Sequence, residues 1–263
     1  MTDEHERVDQ FFSLPTIARV LDVTVVGPVP VRNSSNATYV LDGNGQRWIR
    51  KTTDPRDVLA EAISHLLCRL VAVPVPDGAC LLPESIGDGA DEDGETVKPS
   101  PSWLSAVIPS AVHWSGSRAQ MLADPDALGG ILAVDAIVGN FDRHNENMLL
   151  QPSPDPASLI LYGIDFANSW VGTPDYIVQG ALTLPSVAGL ATDIPMDIAE
   201  PGAHKCAEKL SNLEEDVILG IVRSCCKFTF EPRHDDIAAA VSLRCKNARG
   251  LIQDYLQAIR ASR

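Results

Sequence analysis

Residues 139–150, GNFDRHNENMLL, and residues 159–170, LILYGIDFANSW, carry the reading of this chain. In the first stretch Asp142 and Asn147 stand five residues apart on a polar run that follows an apolar one; in the second, Asp165 ends an apolar run. The proline-rich gap QPSPDPAS joins two strand-like segments as a hairpin, whose ends bring Asn147 and Asp165 within reach of each other. Two carboxylates and one amide then converge on a shared space. These are hard oxygen donors of the kind Mg²⁺ takes, with its remaining positions left to waters and phosphate oxygens. A lone Asp-Arg-His-Asn run is also an ordinary polar turn, since Asp and Asn cap helices and tolerate left-handed backbone. That turn has no use for a second acid at Asp165, whereas phosphoryl transfer requires one.

Upstream of the loop, Asp124-Pro125 supplies a cap and a first-turn proline for a helix through DALGGILAVDAIVG, which is apolar on nearly every face and so is expected to be buried. It holds the polar loop on a rigid support. Before it, WLSAVI (Trp103 to Ile108) reads as an apolar strand, and Pro109-Ser110 as a hinge. The acidic stretch from Gly87 to Ser102, rich in Gly, Pro and Ser, offers hardly an apolar side chain to bury and reads as an exposed connector.

Nearer the N-terminus, ATYVL and QRWIRK flank Asp42-Gly-Asn-Gly45, a strong hairpin signal because such pairs supply positive φ. Lys51 therefore ends a strand. The segment DPRDVLAEAISHLLCRL follows as a helix, with Asp54 as N-cap, Pro55 in the first turn and apolar residues at Val58, Leu59, Ile63, Leu66, Leu67 and Leu70. Glu61 lies on this helix, placed to pair with Lys51 and fix the lysine where phosphates bind; taken alone, both would read as solvated surface charges. Pro74 and Pro76 stop the helix and suit an edge strand. Beyond Trp170 the pattern is helical, with a capping box at Ser211 and Glu214 and a last long helix from about Asp235 to Ile259 whose Leu251, Ile252, Tyr255 and Ile259 belong to the core.

At 263 residues the chain is long enough to bury a substantial core. Its six cysteines show no CxxC spacing and lie mostly on apolar stretches, which predicts buried free thiols and a reducing, cytoplasmic setting. No apolar stretch approaches membrane-spanning length, and the N-terminus MTDEHERVDQ has the wrong charge for a secretory leader. A net charge of -14 opposes binding to nucleic acid or anionic lipid.

The order of these elements, from the polar loop RNSSNA (Arg32 to Ala37) through the YVL and WIRK hairpin and the Glu61 helix ending in VPVP to DRHNEN and IDF, resembles the HipA-like kinase family over roughly residues 25 to 170. The DRHNEN loop is also similar to that of the phosphatidylinositol kinases. The resemblance implies an α+β, two-lobed protein-kinase-like fold: a small antiparallel-sheet N-lobe with one helix over residues 1–109, and a mostly helical C-lobe over 110–263. It implies ATP and Mg²⁺, with Lys51 on the nucleotide phosphates, Glu61 orienting it, and the glycine-free loop of Ser34, Ser35 and Asn36 covering them. Adenine would lie near Ile108. Asp142 would handle the acceptor proton, His144 would support the transferred phosphate or the loop, Arg143 would anchor the loop to carboxylates, and Asn147 and Asp165 would bind the metal.

The expected partner is a hydroxyl acceptor, a protein Ser or Thr ahead of a small molecule or lipid, with a regulatory or antitoxin-like protein as a further expectation. The sequence departs from the family pattern at Asp165-Phe166-Ala167, where Asp-Phe-Gly is usual, and in the short run ahead of the first lobe, which leaves no room for an N-terminal subdomain. These departures keep open a nucleotide-binding pseudokinase that acts as an interaction module.

Overall fold

The computed structural model describes residues 18–20, 23–29, 37–51, 53–81, 101–178 and 183–263. The N-terminal part is a six-stranded sheet with one long helix. Its strands are β1 (Ala18–Val20), β2 (Val23–Pro28), β3 (Ala37–Asp42), β4 (Arg47–Lys51), β5 (Gly78–Leu81) and β6 (Ser102–Ala106), in the order β1-β5-β6-β4-β3-β2. All neighbours are antiparallel except the β1/β5 pair. The β3/β4 turn forms as the DGNG signal predicts. Gly45 takes the positive φ, at 78°, and the Asp42 carboxylate accepts the N–H groups of Asn44 and Gln46, both at 2.9 Å, and the Trp48 indole at 3.1 Å. An aspartate that satisfies the turn's own donors fixes the register that leaves Lys51 opposite Trp103 of β6.

Helix α1 (Pro55–Leu70) starts as its sequence dictates, with the Asp54 side chain accepting the Arg56 N–H at 2.8 Å and Pro55 in the first turn. It is buried from Val58 to Cys68 without a break, because it is wedged between the sheet and the C-terminal helices. Glu61 and His65 are therefore carried into the interior.

The prolines do not mark an edge strand. Pro74 and Pro76 lie in the extended run before β5, and β5 itself sits inside the sheet between β1 and β6. Gly78 permits this, since a Cβ there would lie 2.5 Å from the Trp103 ring.

His65 stacks edge-on against Trp103 with ring centroids 5.6 Å apart, and burial pushes its imidazole down from 6.5 to about 4. Below pH 6.5 the unfolded chain takes up a proton that the fold refuses, so stability should fall as pH drops through that window. The loss expected between pH 6.5 and 4 is about 3 kcal/mol. Urea titrations at a series of pH values check this: His65→Phe should lose that share of the pH slope, and an unchanged slope would contradict it.

The C-terminal part begins after β7 (Val112–His113) with α2 (Asp126–Val138), every residue of which from Ala127 onward is buried. Asp124 caps its first turn, accepting the Asp126 N–H at 3.0 Å, and Pro125 is already helical. Strands β8 (Met148–Pro152) and β9 (Leu159–Gly163) form the second predicted hairpin and pair with β7 in a small sheet. The rest is helical: α3 (Pro174–Val178), α4 (Met196–Ser211), α5 (Glu215–Thr229), α6 (His234–Lys246) and α7 (Ala248–Ala261).

α4 lies so close to α2 that a Cβ on Gly129 would meet the Ala199 carbonyl oxygen at 1.9 Å. This backbone contact fixes the support of the polar loop.

Two local expectations fail here. Ser211 does not open a capping box; it ends α4, and its hydroxyl donates to the Glu208 carbonyl, while Glu214 precedes α5 without a side-chain cap. The helix keeps the serine because the hydroxyl satisfies one of its orphan carbonyls. The long last helix is two. Asn247 lies between them, its side chain donating at 2.8 Å to the Leu243 carbonyl, which also accepts the Asn247 backbone N–H at 3.2 Å.

Leu251, Ile252, Tyr255 and Ile259 are core residues as expected. All six cysteines are buried and free, and burial holds those at 80, 206, 226 and 245 at about 12. Among the described residues no helix is long and apolar enough to cross a membrane.

Candidate active site

The polar loop hangs from α2. Gly139 ends that helix in the left-handed conformation, φ 74°, and Asn140 then turns back to donate to the Asp135 carboxylate at 2.8 Å while its own side-chain oxygen accepts the Asp142 N–H at 3.1 Å. Arg143 is wholly buried and forks onto both oxygens of Asp135 at 2.8 Å each. Its remaining donor reaches the Asn147 carbonyl at 2.6 Å and the Ile164 carbonyl, and its plane lies 4.5 Å from the Phe166 ring centroid. Burial opposes the guanidinium charge, but the Asp135 carboxylate raises its pKa above the ordinary value. One arginine thus ties the loop to the end of β9. The anchoring expected of Arg143 is present, with a single carboxylate in a fully buried pair.

That tie brings the predicted residues together. The Asn147 side chain donates to the Asp142 carbonyl at 2.7 Å, and the Ile164 N–H donates to the Asn147 carbonyl at 3.1 Å, so Asp165 follows directly. Asp165 has a φ of 58°, a left-handed conformation that Asp tolerates better than most residues. Across the cleft, the Lys51 ammonium lies 2.8 Å from Glu61 Oε1 and 2.8 Å from Asp165 Oδ1. Glu61 uses its second oxygen to accept the Phe166 N–H at 3.1 Å, so α1 and the Asp165 turn share one carboxylate.

The charges are interdependent. Burial alone would lower Lys51, but Glu61 and Asp165 hold it above its ordinary value; burial alone would raise Asp165, but Lys51 brings it below; Glu61, the most deeply buried, stays raised by desolvation.

Asp142 and His144 face the same space. The Asp142 Oδ2 accepts from the Asn168 amide at 2.7 Å and lies 3.8 Å from His144 Nε2, while His144 Nδ1 accepts the Glu146 N–H at 3.2 Å. His144 therefore supports the loop as well as edging the cleft. The cleft, of about 520 Å³, is lined by Lys51, Asp142, His144, Asn147 and Asp165 together with the apolar Val29, Ala37, Ala106, Ile108, Leu149 and Ile164. Ile108 also lines this cleft. Ser34, Ser35 and Asn36 lie outside the described residues.

Among the described residues no group of three or more His, Cys, Asp or Glu is placed to hold a metal ion. The donor set that fits a divalent ion is smaller and all oxygen: the Asn147 amide oxygen, left open because its nitrogen is the donor to Asp142, and the Asp165 carboxylate. This is the sparse protein shell that suits Mg²⁺ shared with phosphates.

Three residues of the site go beyond the sequence reading. Asp135 is a lone acid in an otherwise apolar helix, and its need for a buried cation was the available signal. Asn168 orients Asp142, and only its place three residues after Asp165 hinted at it. Gly189 packs on the loop, where a Cβ would lie 2.7 Å from the Phe141 carbonyl oxygen, and no local pattern marks it.

No family description and no curated protein sequence matches the chain. Among solved structures, the Helicobacter pylori proinflammatory kinase CtkA superposes over 94% of this chain and 99% of its own, with a TM-score of 0.53 at 13% identity. The fold is that of a kinase. The Golgi casein kinase, also solved with Mn/ADP bound, matches at 10% identity over 94% of this chain and 75% of its own, with TM-scores of 0.45 and 0.44. WaaP, in complex with acyl carrier protein, matches over 86% of this chain and 89% of its own at 11% identity, with a TM-score of 0.34.

In this kinase-fold chain the sheet and α1 form the N-terminal lobe, the helices the C-terminal one, and Lys51 and Asp165 face each other from the two sides of the cleft.

Proposed function

We propose that this chain is an ATP-dependent, HipA-like kinase that passes the γ-phosphoryl group to a hydroxyl, a protein serine or threonine. The observation that carries the proposal is the Lys51 ammonium held 2.8 Å from both Glu61 and Asp165 in a cleft that also has apolar walls. The apolar walls suit a purine ring, and the charged groups suit its phosphates. Lys51, fixed by two carboxylates, presents a point charge to the phosphate oxygens without first paying to be ordered.

Asp142 has one oxygen occupied by Asn168, which leaves Oδ1 to orient the acceptor hydroxyl and take its proton as the acceptor oxygen bonds to phosphorus and the bond to ADP breaks. Asn147 and Asp165 would hold Mg²⁺, which when bound neutralises charge on the phosphates. The buried Arg143–Asp135 pair keeps both metal donors in register. Partners follow from this reading: a protein hydroxyl acceptor, and a regulatory protein that engages the loops around it.

Incubating the purified chain with isotope-labelled Mg-ATP and no added acceptor should label the protein, with Ser34 and Ser35 as candidate sites. Nucleotide binding with no transfer, either to itself or to a panel of protein and small-molecule hydroxyls, would instead make it a nucleotide-binding module.

A further inference from the structure

The turn at residues 187–190 packs on the polar loop at the point where the loop carries Asp142. The Leu190 N–H donates to the Val187 carbonyl at 3.1 Å and closes the turn, and the Ala191 N–H donates to the Arg143 carbonyl at 2.8 Å and fastens it. Gly189 is the point of closest approach. A Cβ there would lie 2.7 Å from the Phe141 carbonyl oxygen and 3.5 Å from Asp142 Oδ1. The first distance is reason enough for a glycine, because backbone cannot yield as a flexible side chain does. The second gives that glycine a further consequence, since it concerns the carboxylate to which the proposed reaction brings its acceptor.

The two oxygens of Asp142 differ in their surroundings. Oδ2 accepts from the Asn168 amide at 2.7 Å and lies 3.8 Å from His144 Nε2, whereas Oδ1 accepts no hydrogen bond from any described residue. The side chain is 34% exposed, so a hydroxyl from outside can reach it. A hydroxyl that donates to Oδ1 puts its oxygen within about 3 Å and the carbon that bears it at about 3.5 Å. A Cβ on residue 189 would stand in that same shell. As glycine, position 189 leaves its part of the shell to the substrate.

We infer that Gly189 sets which hydroxyls Asp142 can serve: with no Cβ in that shell, the site takes the secondary, methyl-branched alcohol of threonine as well as the primary alcohol of serine. With either, the acceptor oxygen bonds to phosphorus, its proton passes to Oδ1 and the bond to ADP breaks. Threonine brings one methyl group more than serine and needs room for it beside the reacting oxygen. Where that room is filled, discrimination of about 10–200-fold is the usual worth of one such carbon. The inference rests on the phosphotransfer reading and adds to it the residue that sets the acceptor range.

The test offers the full chain two pools of degenerate peptides, identical but for a single central Ser or Thr, with isotope-labelled Mg-ATP. The parent should label the two pools at initial rates within about ten-fold of each other, and Gly189→Ala should lower the threonine rate by about ten-fold or more relative to the serine rate. Ala188→Ser, a change at the exposed neighbour in the same turn, should keep the parental ratio.

A smaller change of ratio in Gly189→Ala, with both rates falling together, makes Gly189 a packing residue only and overturns the inference. So does a parental preference for serine beyond about ten-fold, which is read without any variant should Gly189→Ala not fold. In both cases transfer to serine keeps the phosphotransfer reading standing. Label in neither pool, with ADP bound, removes the protein-hydroxyl reading itself and the inference with it.

Discussion

Asp165→Asn protein should fold as the parent does and lose phosphotransfer by about 10²–10³-fold or more, measured as label transferred from Mg-ATP at saturating nucleotide. Asparagine is the informative choice because position 165 has a φ of 58°, and Asn tolerates left-handed backbone as well as Asp does, so the turn into Phe166 survives. What disappears is charge. Lys51 keeps Glu61 as a partner, and Glu61 keeps the Phe166 N–H, so neither buried group is stranded. The melting midpoint should therefore move by only a few degrees while turnover collapses. Parental turnover in the variant would remove Asp165 from the chemistry; a collapse of both fold and turnover would make it a structural residue.

The second large effect concerns a residue that never meets nucleotide. Asp135→Ala should cost about 3–5 kcal/mol of stability, because it leaves the Arg143 guanidinium buried and unpaired. The same substitution should impair phosphotransfer, since Arg143 also holds the carbonyls of Asn147 and Ile164.

Replacing both partners separates the two roles. Asp135→Leu with Arg143→Met removes the uncompensated charge and should recover much of the stability lost in Asp135→Ala, as buried ion pairs exchanged for apolar groups commonly do. Activity should stay low, because the tie between the loop and β9 is gone. Urea unfolding and phosphotransfer on the three proteins check this, and a double variant as active as the parent would show that the tie does not position the metal donors.

The local elements were legible because each rests on short-range chemistry. The DGNG turn, the Asp54 cap and the 148–163 hairpin are set by neighbours within a few residues, and so is the burial of α2, an apolar run with nowhere else to go. The C-terminal errors share one cause. Ser211 and Asn247 both carry side chains that bond equally well to a helix's last carbonyls or to the first amides of the next helix, and packing decided between them. The prolines before β5 read as an edge signal because their sequence does not show that the strand would be enclosed by β1 and β6.

For the site, the sequence alone singled out the groups proposed to carry the chemistry: Lys51, Glu61, Asp142, Asn147 and Asp165, two of them on one loop and all in a spacing that suits phosphate and metal. Residue type and local spacing are enough for that, because proton transfer and metal binding need particular atoms. Only the tertiary structure decided that Lys51 meets Asp165, and that Asp135, Asn168 and Gly189 hold the loop. Apart from the Asp135–Arg143 pair, eight residues apart, those relations join segments tens to more than a hundred residues apart, and they exist because burying α1 and α2 against the surrounding strands and helices brings the segments together.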